Sequence, residues 1–114
     1  MIGIDIVAID RIERFMERFG ERGLRRFLSE EEIRTAKNSA SIAGLWAAKE
    51  AISKALGCGI GKELGFHDII IRKSDKGAPY FLLSEEAKKR FPLTKSALSI
   101  SHDGGFAIAV AVIF

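Results

Sequence analysis

Four ionisable residues stand in apolar or small-residue surroundings in this chain: Asp5, Glu50, Lys54 and His102. Two carboxylates suit Mg²⁺, which takes one or two protein carboxylates and fills its remaining positions with phosphate and water. A lysine beside such an ion neutralises a phosphate or protonates a leaving oxygen. Glu50 and Lys54 are four residues apart, so on a helix they stand one turn above each other. That spacing is ordinarily a solvated pair worth a few tenths of a kcal/mol, so the surroundings decide its meaning. Asp5 interrupts an apolar run, where a buried acid needs a cation or hydrogen bonds; a strand-end acid facing water is the plainer alternative. A lone histidine is ordinarily structural, but His102, in SISHD before a glycine turn, falls exposed at a strand end. No nucleophile–base triad is present, so a group-transfer reaction would draw its nucleophile from a substrate.

The stretch that must position these groups is WAAKEAISKALG, residues 46–57. Leu45, Trp46, Ala48, Ile52 and Leu56 recur at helical spacing and mark a buried side. Ser39 and Ser41 are the candidate N-caps, and Gly57 is placed to end the helix in a left-handed conformation. Ala47, Ala48 and Ala51 add little bulk, so other backbone can approach closely. Before it, residues 2–9 read as a strand. Residues 10–19 turn helical, with Ile12, Phe15, Met16 and Phe19 inward. Arg11, Arg14, Arg18, Arg22 and Arg25 follow three- and four-residue steps and line one side if the helix persists past Gly20 and Gly23. Such mixed faces are usually solubilising, yet this row also suits an acidic protein surface.

Ser29 and Glu32 form a capping box opening a short helix to about residue 37. The glycine-rich run at 57–65 lacks the Gly-Lys-Ser/Thr ending of a P-loop and the context of a dinucleotide fold, and reads as a connection. Residues 67–73 and 79–83 read as a hairpin turning at 74–77. Ser84 caps a helix to residue 90, stopped by Pro92. Residues 97–101 and 106–114 make a last hairpin turning at 103–105. The order predicts an α+β fold with antiparallel pairing. The closing strand is apolar on both faces, which in a small domain calls for self-association.

With 114 residues the chain supports one domain, residues 1–114. Its 47% hydrophobic and 29% charged content fits a globular protein and excludes a disordered one. The single cysteine, Cys58, excludes an intrachain disulfide and fits a reducing cytoplasm. No segment approaches the ~20 apolar residues of a membrane helix, and the amino terminus lacks a signal peptide's basic leader. A net charge of +3 is compatible with phosphates or acidic partners and too mild to argue nucleic acid.

GIDIV, FLSEEE, AGLWAAKEAISKALGCGIG, GAPY and SISHDGGFAIAVAVI follow one another as in a single family. From end to end the chain resembles the holo-(acyl-carrier-protein) synthases, the short bacterial phosphopantetheinyl transferases, with AAKEAISKA the most specific segment. The resemblance implies the phosphopantetheinyl transferase fold, an antiparallel sheet packed on a central helix. It implies transfer of phosphopantetheine from coenzyme A to a serine of acyl carrier protein, releasing adenosine bisphosphate, for fatty acid synthesis in the cytoplasm. In that reading Asp5 and Glu50 bind Mg²⁺ at the pyrophosphate, and Lys54 stabilises or protonates the leaving phosphate. Glu50 also helps deprotonate the serine, directly or through a water.

Gly77, Pro79, Ser101 and His102, with Lys54, match positions that contact coenzyme A. The first helix, with Arg11, Arg14 and Arg18, docks the carrier, and the assembly is a homotrimer. Many relatives carry an arginine where this chain has Leu45, leaving Lys37 or Lys49 as substitute phosphate contacts. Two other classes use the same residues: a Mg²⁺-dependent nucleotide pyrophosphatase with water as nucleophile, and a non-enzymatic basic module. The last expects exposed aromatics among the basic residues, whereas Phe15, Phe19 and Trp46 fall on stripes predicted to be buried.

Overall fold

The computed structural model describes residues 1–114 throughout. Strand β1 (Ile2–Ala8) leads into α1 (Ile9–Leu24), α2 (Glu30–Thr35) and the long α3 (Ser39–Ala55). A short 3₁₀ turn (Phe66–Asp68) precedes β2 (Ile69–Lys73) and β3 (Pro79–Leu83). Then come α4 (Glu85–Arg90), β4 (Ser96–Asp103) and β5 (Phe106–Ile113). The strands form two antiparallel sheets, one ordered β1-β5-β4 and the other the β2-β3 hairpin. The α+β architecture is the one the residue pattern predicts. His67 falls in the 3₁₀ turn, so the first hairpin strand starts two residues later than read from sequence.

Helix α3 lies across the three-stranded sheet and is buried nearly all round. Its inner contacts are made by Ala43, Ala47, Ala48, Ala51, Ile52 and Ala55, while Leu45 and Trp46 are only half-buried. The alanines carry the packing because β1 comes down onto α3 backbone to backbone. A Cβ built on Gly3 would stand 2.0 Å from the carbonyl oxygen of Ala51 and 2.6 Å from the amide of Ala55. No side chain fits there. The facing strand is small for the same reason: Ala107, Ala109 and Ala111 of β5 are all buried against the helix.

The cap of α3 is Asn38, not Ser39 or Ser41. Asn38 has extended backbone, and its side-chain oxygen accepts the Ser41 amide at 2.9 Å. Ser39 is already helical, and its hydroxyl bonds Glu13. Gly57 ends the helix at φ 83°, in the left-handed region that favours glycine. The Ser29–Glu32 capping box forms in both directions.

The outer face of the sheet is apolar and open along β1 and β5, while β4 adds Ser99, Ser101 and Asp103 to it. Ile2, Ile4 and Ile6 are 69%, 55% and 59% exposed and lie in register beside Val112, Val110 and Ile108 of β5.

Candidate active site

Asp5 lies mid-strand on the face of β1 that meets α3, between the buried Gly3 and Val7. Its side chain is 16% exposed and is held by Lys54, whose ammonium donates to Asp5 Oδ1 at 3.0 Å and to the Ile4 carbonyl at 3.1 Å. The compensating cation that a mid-strand acid demands is therefore present. Lys54 reaches across to the strand and pairs with Asp5, although Glu50 stands one turn below it on α3.

Glu50 completes the group. Burial pushes its carboxyl above the ordinary range, and the charge of Asp5 raises it further, while Lys54 and Arg11 pull it down. The charges that act on Glu50 put Asp5, Lys54 and Arg11 around it in one charged locus, built from β1, the start of α1 and the C-terminal part of α3. Arg11 belongs to two features, for its guanidinium also lies 5.8 Å over the Trp46 ring.

A cavity of about 240 Å³ opens on the same side of the sheet, lined by Gly44, Leu45, Lys73, Gly77, Pro79 and His102 among others. Three residues expected to meet coenzyme A thus share one cavity with Leu45. Ile100, also on its wall, pairs with Ala109, which in turn pairs with Asp5. With strands about 4.8 Å apart, the wall is about 10 Å across the sheet from the acid. Ser101 is elsewhere: it alternates with His102 and stands on the outer face beside Ile108, because successive strand residues point opposite ways.

Arg11, Arg14 and Arg18 line a groove of about 510 Å³ with Phe15, Phe19 and Trp46. The row ends at Arg18, because Gly20 at φ 57° breaks the helical geometry. Beyond it Arg25 is taken up by Glu21 and Glu30. Phe19 is 38% exposed, not buried as its spacing predicts, and Arg18 and Arg26 lie over its ring.

Lys49 cannot stand in for a phosphate contact. It is fully buried, and its ammonium donates to Glu32 and to the carbonyls of Phe27 and Phe66. Sequence reasoning missed this group entirely; the acid at the third position of the capping box was its only signal. Cys58 is half-buried in the loop after α3, and burial pushes its thiol up, consistent with a packing residue.

Two carboxylates and a lysine thus meet where one long helix is laid across a small antiparallel sheet. The chain belongs to the 4'-phosphopantetheinyl transferase superfamily, whose sequence model matches residues 1–111. It is 63% identical over 113 residues to the holo-(acyl-carrier-protein) synthase of Campylobacter curvus, covering 99% of each chain. It is 58% identical over 112 residues to that of Sulfurovum sp., covering 98% of this chain and 94% of the relative. The crystal structure of the Helicobacter pylori synthase in complex with coenzyme A superposes with a TM-score of 0.96 at 56% identity, covering all of both chains.

Proposed function

We propose that this protein transfers the phosphopantetheine group of coenzyme A to a serine of apo-acyl carrier protein and releases adenosine bisphosphate. The observation that carries the reading is the Lys54–Asp5 contact at 3.0 Å beside the half-buried Glu50. It gathers two oxygen donors and one cation where an inner strand face meets α3. The serine oxygen forms a bond to the pantetheine phosphorus as the bond from that phosphorus to the bridging oxygen breaks. Glu50 takes the serine proton, directly or through a water. Lys54 neutralises or protonates the departing phosphate. In-line positioning and neutralisation of spread charge are what this transfer needs, and the partner brings the nucleophile.

Asp5 and Glu50 fit Mg²⁺. Both are hard oxygen donors, and the charge of Asp5 raises the electrostatic cost of ionising Glu50, a cost that a divalent cation relieves. No cluster of three or more His, Cys, Asp or Glu surrounds them, so substrate phosphate and water would complete the ion's shell. When bound, the ion would offset negative charge on the pyrophosphate.

The cavity at Gly77, Pro79 and His102 receives coenzyme A, and the groove along Arg11, Arg14 and Arg18 receives the acidic carrier. The open isoleucine face supports self-association, the resemblance to the family sets the number of copies at three, and Ser101 on that face meets coenzyme A only at the boundary between copies. No helix is long and apolar enough to cross a membrane, and the setting we propose is cytoplasmic fatty acid synthesis.

One incubation tests the function: coenzyme A, Mg²⁺ and apo-acyl carrier protein, followed by intact-mass measurement. A phosphopantetheine gain on the carrier, lost on chelation, is expected. Coenzyme A cleavage without carrier would favour the pyrophosphatase. An unchanged carrier with tight polyanion binding would favour the basic module, to which the exposed Phe19 lends its one observation.

A further inference from the structure

The two most heavily bonded side chains in the molecule, with three hydrogen bonds each, take no part in the chemistry above. Lys49 and Glu32 are buried to 1% and 2% side-chain exposure and meet at 2.8 Å. All three ammonium protons are used: besides Glu32, Lys49 donates to the Phe27 carbonyl at 2.7 Å and the Phe66 carbonyl at 3.1 Å. Glu32 Oε1 also accepts the Ser29 amide at 2.8 Å, and its Oε2 accepts the Ile71 amide of β2 at 2.9 Å. Four segments therefore converge on one ion pair: the end of the α1 region, α2, the 3₁₀ turn with β2, and α3.

Its location gives it a consequence. The β2–β3 hairpin forms a sheet of its own, with no ladder hydrogen bonds to the larger one, although β3 packs beside β4. That hairpin supplies Lys73, Gly77 and Pro79 to the cavity wall, and α3 supplies Gly44 and Leu45 to the opposite wall. Glu32 grips the hairpin at Ile71, two residues before Lys73, while Lys49 is the residue next to Glu50 on α3. A buried ion pair adds little net stability over apolar residues of the same volume. What it does impose is a fixed register between the groups it joins, since every ammonium proton and both carboxylate oxygens are engaged.

We infer that the Glu32–Lys49 pair is a positioning device that holds the hairpin wall of the coenzyme A cavity at a set distance from α3. The inference deepens the proposed function and rests on it for the identity of the ligand. Glu32 and Lys49 touch no substrate; they act through Gly77 and Pro79 on one wall and Leu45 on the other.

The test is the double variant Glu32→Gln with Lys49→Met in the full-length protein. Gln keeps an acceptor for the Ile71 amide, and neither residue leaves an unpaired charge behind. By calorimetry coenzyme A should bind about fivefold or more weakly, and KM for coenzyme A should rise in step, while kcat at saturation stays within about twofold. KM for the carrier should not change. A variant with wild-type coenzyme A affinity would overturn the inference, as would a parallel loss for both substrates, which marks general loosening.

Should that variant not fold, the unaltered protein answers by amide hydrogen exchange. The Ile71 amide should exchange as slowly as those of α3, and fast exchange there would overturn the tether. Wild-type protein that binds coenzyme A but never loads a carrier would contradict the proposed function alone, leaving the binding comparison to decide this inference.

Discussion

Glu50 is held in a conflict that its own mutation can expose. Burial and the Asp5 charge favour its protonated form in the folded protein more than in the unfolded chain. A carboxyl raised in this way contributes stability only at low pH, and that contribution is lost as pH rises through its folded value. At neutral pH the ionised Glu50 therefore costs stability. In metal-free buffer Glu50→Gln should melt higher than wild type at neutral pH, and the gap should close as pH falls below the ordinary glutamate range. A Tm below wild type at neutral pH would contradict the electrostatic description of the site.

The residue scale is also where the sequence was most and least informative. Asp5 announced itself as an acid in an apolar strand, and its partner Lys54 was found one helical turn from Glu50. Lys49 sits in the same AAKEA run and looks like a solvated helix lysine. Its burial depends on Glu32, Phe27 and Phe66, which no local spacing connects.

Among the elements, the fit of β1 on α3 is the tightest joint and the most exposed to substitution. The Cβ of Gly3→Ala would meet backbone, which cannot swing aside as a side chain can. Overpacking of this kind costs about 2–3 kcal/mol, or a Tm drop of about 10 °C or more in a domain of this size. Gly61→Ala, with nothing within 4 Å of the new Cβ, should stay within about 0.5 kcal/mol by denaturant titration. Equal losses at the two positions would refute the close-approach account.

On α1, Arg14 is exposed and ion-paired only with Asp10 in its own helix. Arg14→Glu should raise KM for the carrier roughly tenfold at low salt, with the effect shrinking as salt rises and coenzyme A binding unchanged. The helices and hairpins themselves were readable from periodicity and turn residues. The break at Gly20 was legible in part: the helical pattern runs to about residue 19 and the row beyond it depends on Gly20, a residue that weakens a helix by about 1 kcal/mol without fixing whether it continues. At φ 57° it does not, and the arginine row stops at Arg18.

At the scale of the whole molecule, the open face of Ile2, Ile4 and Ile6 beside Phe106 is the largest unmet demand of the fold. The sequence signalled it through a closing strand apolar on both sides, although only the β1 register shows how many isoleucines join that face. Light scattering at micromolar concentration should give three copies, and Ile6→Glu should dissociate them without unfolding the chain. A wild-type monomer that still turns over would contradict the assembly, and a dimer would keep the burial argument while refuting the number three. The second sheet follows another logic: it is tied to the rest partly by a buried ion pair, and pattern-based reading has no means of seeing such a tie.

If Asp5, Glu50 and Lys54 form one site that moves phosphopantetheine onto a carrier serine, removing the charge of Glu50 must slow that transfer. The most direct measurement is the rate of mass gain on apo-acyl carrier protein with coenzyme A and Mg²⁺, wild type against Glu50→Gln. Full loading by wild type is expected, with a rate about 10²–10⁴-fold lower for the variant. Circular dichroism should show the same fold for both. Near-normal loading by Glu50→Gln in saturating Mg²⁺ would contradict that role for Glu50.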